Sequence, residues 1–210
     1  MADTIARDGH IHIRTMEETE QDFQTFLKWM TDPRTMKYWE GMTEHFTYER
    51  VVRDYRESRE EHVEQCIIEW DSKAIGYCQF CIVNAGNYEV PEAQFGQFAD
   101  KQDVVYGIDI FLGEADYRDR GIGTKCMKVL MKALFDERNA DMLMIDPKTH
   151  NARAIRCYHK CGFRDLCVVP ERELQDGIYH DSLIMGIRKK EFTVELNQRD
   201  RAKSYQEQIK

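Results

Sequence analysis

The chain has 210 residues, a formal net charge of −8 at pH 7 and 42% hydrophobic side chains. This length suits one domain with a sizeable core, and the hydrophobic fraction argues against extended disorder. The acidic balance argues against nucleic acid as the main partner and is compatible with a cationic substrate, although an acidic surface alone more often only aids solubility.

The hydropathy pattern also bears on location. No apolar run approaches the length of a membrane span, and the first residues lack the apolar core of a signal peptide. We therefore expect a soluble, cytoplasmic protein without a membrane partner. The seven cysteines lie mostly inside apolar segments, which favours buried free thiols and no metal site.

The first half of the chain predicts a strand, two amphipathic helices and a hairpin. Apolar side chains alternate in the strand, recur at helical spacing in the helices, and form two continuous runs joined by a short turn in the hairpin. An aperiodic segment follows, and a loop of that length is either functional or mobile. The predicted loose leader is residues 1–9, and the predicted strand is 10–14. The predicted helices are 19–30 and 48–59, the hairpin strands are 63–70 and 74–83, and the loop is 84–103.

The second half predicts four strands and two helices. Asn151 is placed to cap the second helix, and Gly162 suits its exit. The order of elements predicts a mixed α/β domain over residues 10–190 and a polar tail at 191–210. The predicted strands are 104–113, 141–145, 163–169 and 178–187, with a turn at 171–177, and the helices are about 122–138 and 152–160.

The turn between the strand at 104–113 and the next helix has the chemistry of an anion site. Gly121 and Gly123 remove side chains where the backbone bends, and their N–H groups lie at the start of a helix, where an anion is favoured. Arg118, Arg120 and Lys125 add positive charge. The turn is neither a Walker loop nor a G-x-G-x-x-G fingerprint.

The pattern Arg118-x-x-Gly121-x-Gly123 resembles the pyrophosphate-binding signature of the GNAT superfamily of N-acetyltransferases, and the resemblance spans about residues 10–188. Within that superfamily the chain is similar to the bacterial aminoglycoside 6'-N-acetyltransferases. The motifs that carry this closer resemblance are Tyr106-Gly-Ile-Asp109, Phe111-Leu-Gly-Glu114, Ile145-Asp-Pro147, Asn151-Ala-Arg-Ala-Ile-Arg-Cys-Tyr158 and Lys160-Cys-Gly-Phe163.

The resemblance implies a GNAT fold, with a mostly antiparallel, splayed sheet flanked by helices and acetyl-CoA as co-substrate. The pantetheine would pair with the backbone of the splayed strand as an added strand does, and the diphosphate would rest on the amides of the glycine turn. The implied cofactor-binding residues are Ile110, Phe111, Leu112, Arg118, Arg120, Gly121, Ile122, Gly123, Thr124, Asn151 and Ala154. No metal is implied.

Two residues are candidates for the chemistry. Asp109 lies inside an otherwise apolar strand, so its carboxylate needs a partner: either a structural cation or the ammonium of a substrate. The resemblance favours the substrate and makes Asp109 the general base. Tyr158 shares a helix face with Asn151 and Ala154. The residue pattern alone predicts a tyrosine at the edge of the core, whereas the resemblance implies that Tyr158 is the general acid.

A polycationic aminoglycoside requires an acidic pocket. The resemblance implies the substrate-binding residues Tyr38, Trp39, Tyr106, Asp109, Asp146 and Asp176, and the acids of the long loop, Asp103, Glu89 and Glu92, are weaker candidates. The chain departs from its relatives at Ile110, where they commonly have Gln. An isoleucine side chain cannot make the hydrogen bonds that a glutamine could make from this position, and this difference bears on the substrate range.

The sequence leaves three functions open. The first is acetylation of the 6'-amine of aminoglycosides by a monomer or homodimer. The second is acetylation of another amine, such as a protein N-terminus, a polyamine or a siderophore precursor. The third is a non-catalytic module that binds an acyl-CoA or an antibiotic. The presence of both Asp109 and Tyr158 favours an enzyme.

Overall fold

The computed structural model describes residues 2–193, whose strands form one eight-stranded sheet in the order β1-β2-β3-β4-β5-β6-β8-β7. The strands are β1 (Thr4–Asp8), β2 (Ile11–Thr15), β3 (Glu64–Trp70), β4 (Lys73–Ile82), β5 (Val105–Leu112), β6 (Met142–Ile145), β7 (Arg164–Gln175) and β8 (Ile178–Arg188). The helices are α1 (Glu20–Met30), α2 (Pro33–Met36), α3 (Tyr48–Glu60), α4 (Glu92–Phe95), α5 (Ile122–Asp136) and α6 (Ala152–Lys160), with a 3-10 turn at Ala115–Tyr117.

The sheet splays in its middle. The β5–β6 pair is parallel, whereas the other neighbouring pairs in the described sheet are antiparallel. The register of β5 with β6 ends at Gly107 and Met144, while β5 stays paired with β4 as far as Leu112. The far half of β5 therefore has one open backbone edge. The predicted mixed α/β fold with a mostly antiparallel, splayed sheet is confirmed.

The side chains of β5 alternate between two cores. Ile108 packs on the side of α5, with Met127 and Leu130. Phe111 faces the opposite side and packs with α1 and α2. Asp109 differs from Phe111 by two positions, so its side chain lies on the same face as Phe111, at the splayed end of the strand.

Local signals fixed several helix ends as predicted. The Thr19 side chain accepts a hydrogen bond from the Asp22 amide at the start of α1. Asn151 accepts one from the Ala154 amide, and α6 begins directly after it. Gly162 follows α6 with φ +97°, a left-handed conformation that glycine adopts without strain.

Two predictions about loops were wrong. Residues 4–8 are not part of a loose leader: they form β1, because Ile5 and Ala6 are buried in the core with α5. Strand β7 continues to Gln175, so the predicted turn at 171–177 shortens to Asp176-Gly177. That strand is an edge strand with many exposed polar side chains, so it lacks the apolar signal of a strand.

The aperiodic segment 84–103 packs against the sheet. It contains α4 and buries Tyr88, Val90 and Phe95 against Val105 and Met144. It therefore forms a wall beside the β5–β6 pair. Of the predicted tail at 191–210, Phe192 packs on Phe135, and residues 194–210 lie outside the described residues.

Among residues 2–193, no helix has both the length and the apolar character that crossing a membrane requires.

Gly113 directly follows β5, where the chain passes the indole of Trp29, and this close approach predicts a stability effect. A Cβ atom at Gly113 would lie 2.3 Å from the Trp29 ring, which is 1% exposed and donates its N–H to Glu114. We expect Gly113→Ala to lower the free energy of unfolding by about 1–3 kcal/mol, measured by urea denaturation. The matched control is Gly123→Ala in α5, where the nearest atom is 3.8 Å away and the free energy should stay equal or rise. Equal effects of the two substitutions would contradict this packing.

Candidate functional site

A cavity of about 580 Å³ opens where β5 and β6 diverge. Its walls are the splayed half of β5, the first turn of α5, one side of α6 and the segment after α2. The lining residues are positive at the end near α5 and α6 and acidic at the other end. The two ends therefore suit different groups, an anion at one and a cation at the other.

The positive end is built around the start of α5. Gly121 is the N-cap residue, with φ +74° and no side chain to bond the first amides of the helix. Gly121, Gly123 and Thr124 line the cavity, so uncapped N–H groups of the first helical turn lie at its surface. Along one side of α6, at positions i, i+3 and i+7, the basic residues Arg153, Arg156 and Lys160 also line the cavity. A diphosphate fits this end by charge and by hydrogen bonding.

Arg118 has a different role from the one its charge suggested. Its guanidinium donates to the Leu112 carbonyl at 2.8 Å, the Gly113 carbonyl at 3.1 Å and the Thr35 hydroxyl at 2.8 Å. Arg118 thus ties the end of β5 to α2, and most of its donors are already used.

The rest of the glycine turn acts through its backbone. The Arg120 side chain turns back to the Asp116 carbonyl at 3.2 Å, and Ile122 is buried in the core. Neither side chain lines the cavity, so only their amides remain as candidate ligands. Ile110, Phe111 and Leu112 line the cavity, and their backbone edge has no pairing with β6. Asn151 and Ala154, on one face of α6, also line the cavity.

Asp109 lies on the cavity wall without an ion-pair partner in the described part of the chain. Gln79 donates its amide N–H to Asp109 Oδ2 at 2.9 Å, and the Tyr77 hydroxyl donates to Gln79 Oε1 at 2.8 Å. Burial raises the pKa of Asp109 to about 7, with the negative charge of Asp146 as the next cause. A carboxyl group with such a pKa exchanges a proton readily at neutral pH.

Tyr158 reaches the same cavity from α6. Its side chain is 8% exposed, and burial raises its pKa further above the ordinary tyrosine value. Within residues 2–193 its ring contacts Phe163 and its hydroxyl has no hydrogen-bond partner. Tyr158 is therefore a protonated donor at the cavity wall.

The aromatic residues before Gly41 line the cavity as the sequence suggested. Trp39 also packs on Phe111 at 4.9 Å between ring centroids, so it belongs to both the core and the cavity wall. Tyr38 lines the cavity beneath the guanidinium of Arg153, 5.6 Å from its ring centroid.

Asp146 lines the cavity but already has a protein cation. It forms an ion pair with Arg172, whose side chain is 9% exposed and also donates to the Tyr88 carbonyl at 2.9 Å. Burial raises the pKa of Asp146, and Arg172 opposes this shift. Asp146 therefore adds negative potential near Asp109, but its charge is largely balanced.

Three predicted substrate residues lie outside the cavity. Asp103 forms an ion pair with Arg188 at 3.0 Å. Tyr106 projects from the other face of β5 into the core. Asp176 lies in the exposed β7–β8 turn, where a hydrogen bond from the Thr43 amide at 2.7 Å lowers its pKa. The structure therefore does not bring these three residues to the cavity, and Glu89 and Glu92 do not line it either.

Sequence reasoning missed several residues of the acidic end. Glu173 pairs with Lys148 at 2.6 Å and lies in the part of β7 that was predicted as a turn. Glu40 has no ion-pair partner among the described residues, and the protein packed around its carboxyl raises its pKa although its side chain remains open to solvent. Gln79 was missed because nothing in β4 reveals which residue it faces in β5.

Cys157 is a further unpredicted residue of the wall. Its thiol lies 3.2 Å from the Thr124 hydroxyl, and a hydrogen bond with Cys161 lowers its pKa to about 6. It sits at the positive end, beside the start of α5.

Comparisons with known proteins place the chain in a family. Residues 18–170 match the acetyltransferase (GNAT) domain family. The aminoglycoside N(6')-acetyltransferase type 1 of Klebsiella pneumoniae is 30% identical over 149 residues, which cover 69% of this chain and 70% of that protein. The crystal structure of an aminoglycoside acetyltransferase, AAC(6')-Ib, with coenzyme A and kanamycin has a TM-score of 0.70 and 25% identity, over 87% of this chain and 97% of that one. A spermidine N-acetyltransferase from Vibrio cholerae shares the fold alone, with a TM-score of 0.69 at 15% identity, over 89% of this chain and 99% of that one.

The raised pKa of Asp109 predicts a pH-dependent stability effect. Between about pH 4 and pH 7 the native state keeps a proton on Asp109 that the unfolded chain has released, so the free energy of unfolding falls as pH rises through this window. Asp109→Asn cannot ionise and escapes this loss. We expect the variant to be more stable than the wild type by about 2–4 kcal/mol at pH 8, and by much less at pH 4.

Urea denaturation at the two pH values measures this difference. Tyr106→Phe is the control, because it removes no carboxyl group and should keep the pH dependence of the wild type. An Asp109→Asn variant whose advantage is the same at both pH values would show that Asp109 is not an uncompensated buried acid.

Proposed function

Since the chain belongs to the GNAT acetyltransferase family, we propose that it transfers an acetyl group from acetyl-CoA to the 6'-amine of an aminoglycoside. The observation that carries this proposal is the unpaired carboxyl group of Asp109, placed between an anion-binding helix start and an acidic cavity end. An enzyme that joins a diphosphate-bearing donor to a cationic acceptor needs this arrangement.

The positive end accounts for the donor. The diphosphate of CoA would accept hydrogen bonds from the amides of residues 121–124 and lie near Arg153, Arg156 and Lys160. The pantetheine amides would bond to the open edge of β5 at residues 110–112, extending the sheet as an added strand would. Because these bonds use the backbone, the apolar side chains of β5 remain free to pack in the core.

Asp109 and Tyr158 supply the two proton transfers. Asp109 takes a proton from the substrate ammonium, directly or through a water molecule, and the freed amine attacks the thioester carbonyl. Backbone N–H groups on the open edge of β5 stabilise the negative charge that develops on the carbonyl oxygen. The C–S bond of the thioester then breaks, and the Tyr158 hydroxyl gives its proton to the departing thiolate of CoA. The acetylated nitrogen loses its second proton in this step, and that proton restores Tyr158 through solvent. The pKa of Asp109, about 7, suits a base that must accept and release a proton at neutral pH.

The acidic end accounts for a polycationic acceptor. Asp146 and Glu173 are balanced by Arg172 and Lys148, whereas Glu40 and Asp109 have no ion-pair partner among residues 2–193. Two unpaired carboxylates in one cavity favour a substrate with more than one ammonium group, which would neutralise both.

The direct test is an acetyl-transfer assay with the full chain. Incubation with acetyl-CoA and kanamycin or tobramycin should release free thiol, and NMR of the product should place the new acetyl group on the 6' nitrogen. Spermidine and a peptide with a free N-terminus serve as competing acceptors. A higher kcat/KM with either of these would assign the enzyme to another amine, and no thiol release with any acceptor would favour a non-catalytic binding module.

Variants at the two proposed proton-transfer residues test the mechanism. Asp109→Asn should lower kcat/KM by about 10²–10⁴-fold, because the base is lost, while the Kd for CoA measured by calorimetry stays close to that of the wild type. Tyr158→Phe should lower turnover less, since water can protonate the thiolate. Tyr106→Phe, on the opposite face of β5, is the matched control and should retain activity. Equal loss of turnover and of CoA affinity in Asp109→Asn would contradict its role as base.

A further inference from the structure

Gln79 is the protein group that holds Asp109. The two residues are directly opposite each other in the β4–β5 register, and Gln79 Nε2 donates to Asp109 Oδ2 at 2.9 Å. Gln79 also lines the cavity. No ion pair restrains Asp109 in residues 2–193, so this hydrogen bond is what sets the orientation of its carboxyl group.

Tyr77 in turn determines which end of the Gln79 amide faces Asp109. The amide has a donor end and an acceptor end of nearly the same shape, so either could lie against the carboxyl group. The Tyr77 hydroxyl donates to Oε1 at 2.8 Å, which leaves the N–H end for Asp109. Tyr77 is 1% exposed and its ring packs between Phe26 and Phe111, so this donor cannot easily move away.

From this geometry we propose that Gln79, oriented by Tyr77, is a positioning residue for the Asp109 base. It holds Oδ2 and leaves Oδ1 to face the substrate amine. The consequence for turnover rests on the proposed acetyltransferase function, whereas the consequence for the ionisation of Asp109 does not.

The hydrogen bond also favours the charged form of Asp109. It opposes burial, which raises the pKa of Asp109, and the negative charges nearby, which raise it further. The titratable and charged groups that face Asp109 come from several elements: Tyr77 and Cys81 of β4, Glu40 after α2, Tyr88 of the 84–103 segment, Asp146 after β6, Tyr158 of α6 and Glu173 of β7. Arg172 and Lys148 each pair with one of these acids and not with Asp109. Loss of the Gln79 donor therefore leaves burial and repulsion without their main opposing interaction.

The test compares Gln79→Met, which keeps the length of the side chain but removes the donor, with Gln65→Met. Gln65 lies opposite Gln79 in the β3–β4 register and bonds the Tyr55 carbonyl at 3.3 Å, so its loss costs a buried hydrogen bond without touching Asp109. NMR titration of ¹³C-labelled aspartate carboxyl groups, assigned with Asp109→Asn, measures the ionisation of Asp109 without any substrate.

We expect the titration midpoint of Asp109 to rise by about one pH unit in Gln79→Met and to stay unchanged in Gln65→Met. Tyr77→Phe should shift it in the same direction, because the freed amide can turn its oxygen toward the carboxylate. With kanamycin as acceptor, the acidic limb of the kcat/KM profile should move by the same amount. The activity of Gln79→Met should recover toward the wild-type value above pH 8, a rescue that general misfolding would not show.

An unchanged Asp109 titration in Gln79→Met would overturn the inference, whatever the turnover. Equal shifts in Gln79→Met and Gln65→Met would also overturn it, since the effect would then reflect a loosened sheet. Absence of turnover in the wild type, combined with the expected titration shift, would overturn the proposed function and leave the positioning of Asp109 intact.

Discussion

The early end of the β5–β6 ladder is the constraint on which the site depends. Strand β6 is four residues long, and Asp146 and Pro147 follow it. Proline has no N–H to continue a ladder with β5. On the other side the chain stays beside β8, where the Leu183 amide donates to the Pro147 carbonyl. Strand β5 goes on alone beside β4 as far as Leu112. The far half of β5 therefore has backbone N–H and C=O groups that are not paired with β6. Globular proteins usually pair or cover such groups, so an open edge of this kind is available to a ligand. The cavity, the helix start and Asp109 are all arranged around this open edge.

Charge in the cavity is divided between balanced and unbalanced groups. Asp146 and Glu173 each face a protein cation, so they set a negative potential while their own burial is compensated. In the part of the chain that the structure describes, Asp109 is held by a neutral amide and not by a cation, so no opposite charge compensates its burial. Burying the Asp109 carboxylate therefore lowers the stability of the fold, and binding of a substrate ammonium beside it would offset that cost. This difference separates the acid proposed for the chemistry from the acids that support it.

Much of the fold was predictable because its signals are local. Helix α6 begins and ends at the predicted residues, since an asparagine cap and a glycine exit lie within one helical turn of its ends. The hairpin β3–β4 was equally clear from two apolar runs and a short turn. Strand β1 and the second half of β7 were missed because both lie at sheet edges, where exposed polar side chains hide the strand pattern. Arg118 was placed in the right turn, but its bonds to Leu112 and Thr35 could not be seen without the packing of α2.

The sequence by itself determined the family, the glycine turn at the start of α5, and the candidate pair Asp109 and Tyr158, because these depend on residues close together in the chain or on a shared motif. Only the tertiary structure decided which acidic residues are free. The cation that balances Asp146 is 26 residues away, and the cation that removes Asp103 from the site is 85 residues away. Ion pairs over such separations form when strands are brought into register, and no pattern of neighbouring residues encodes them. For the same reason Glu40 and Gln79 joined the site only once β4, β5 and the segment after α2 were packed together.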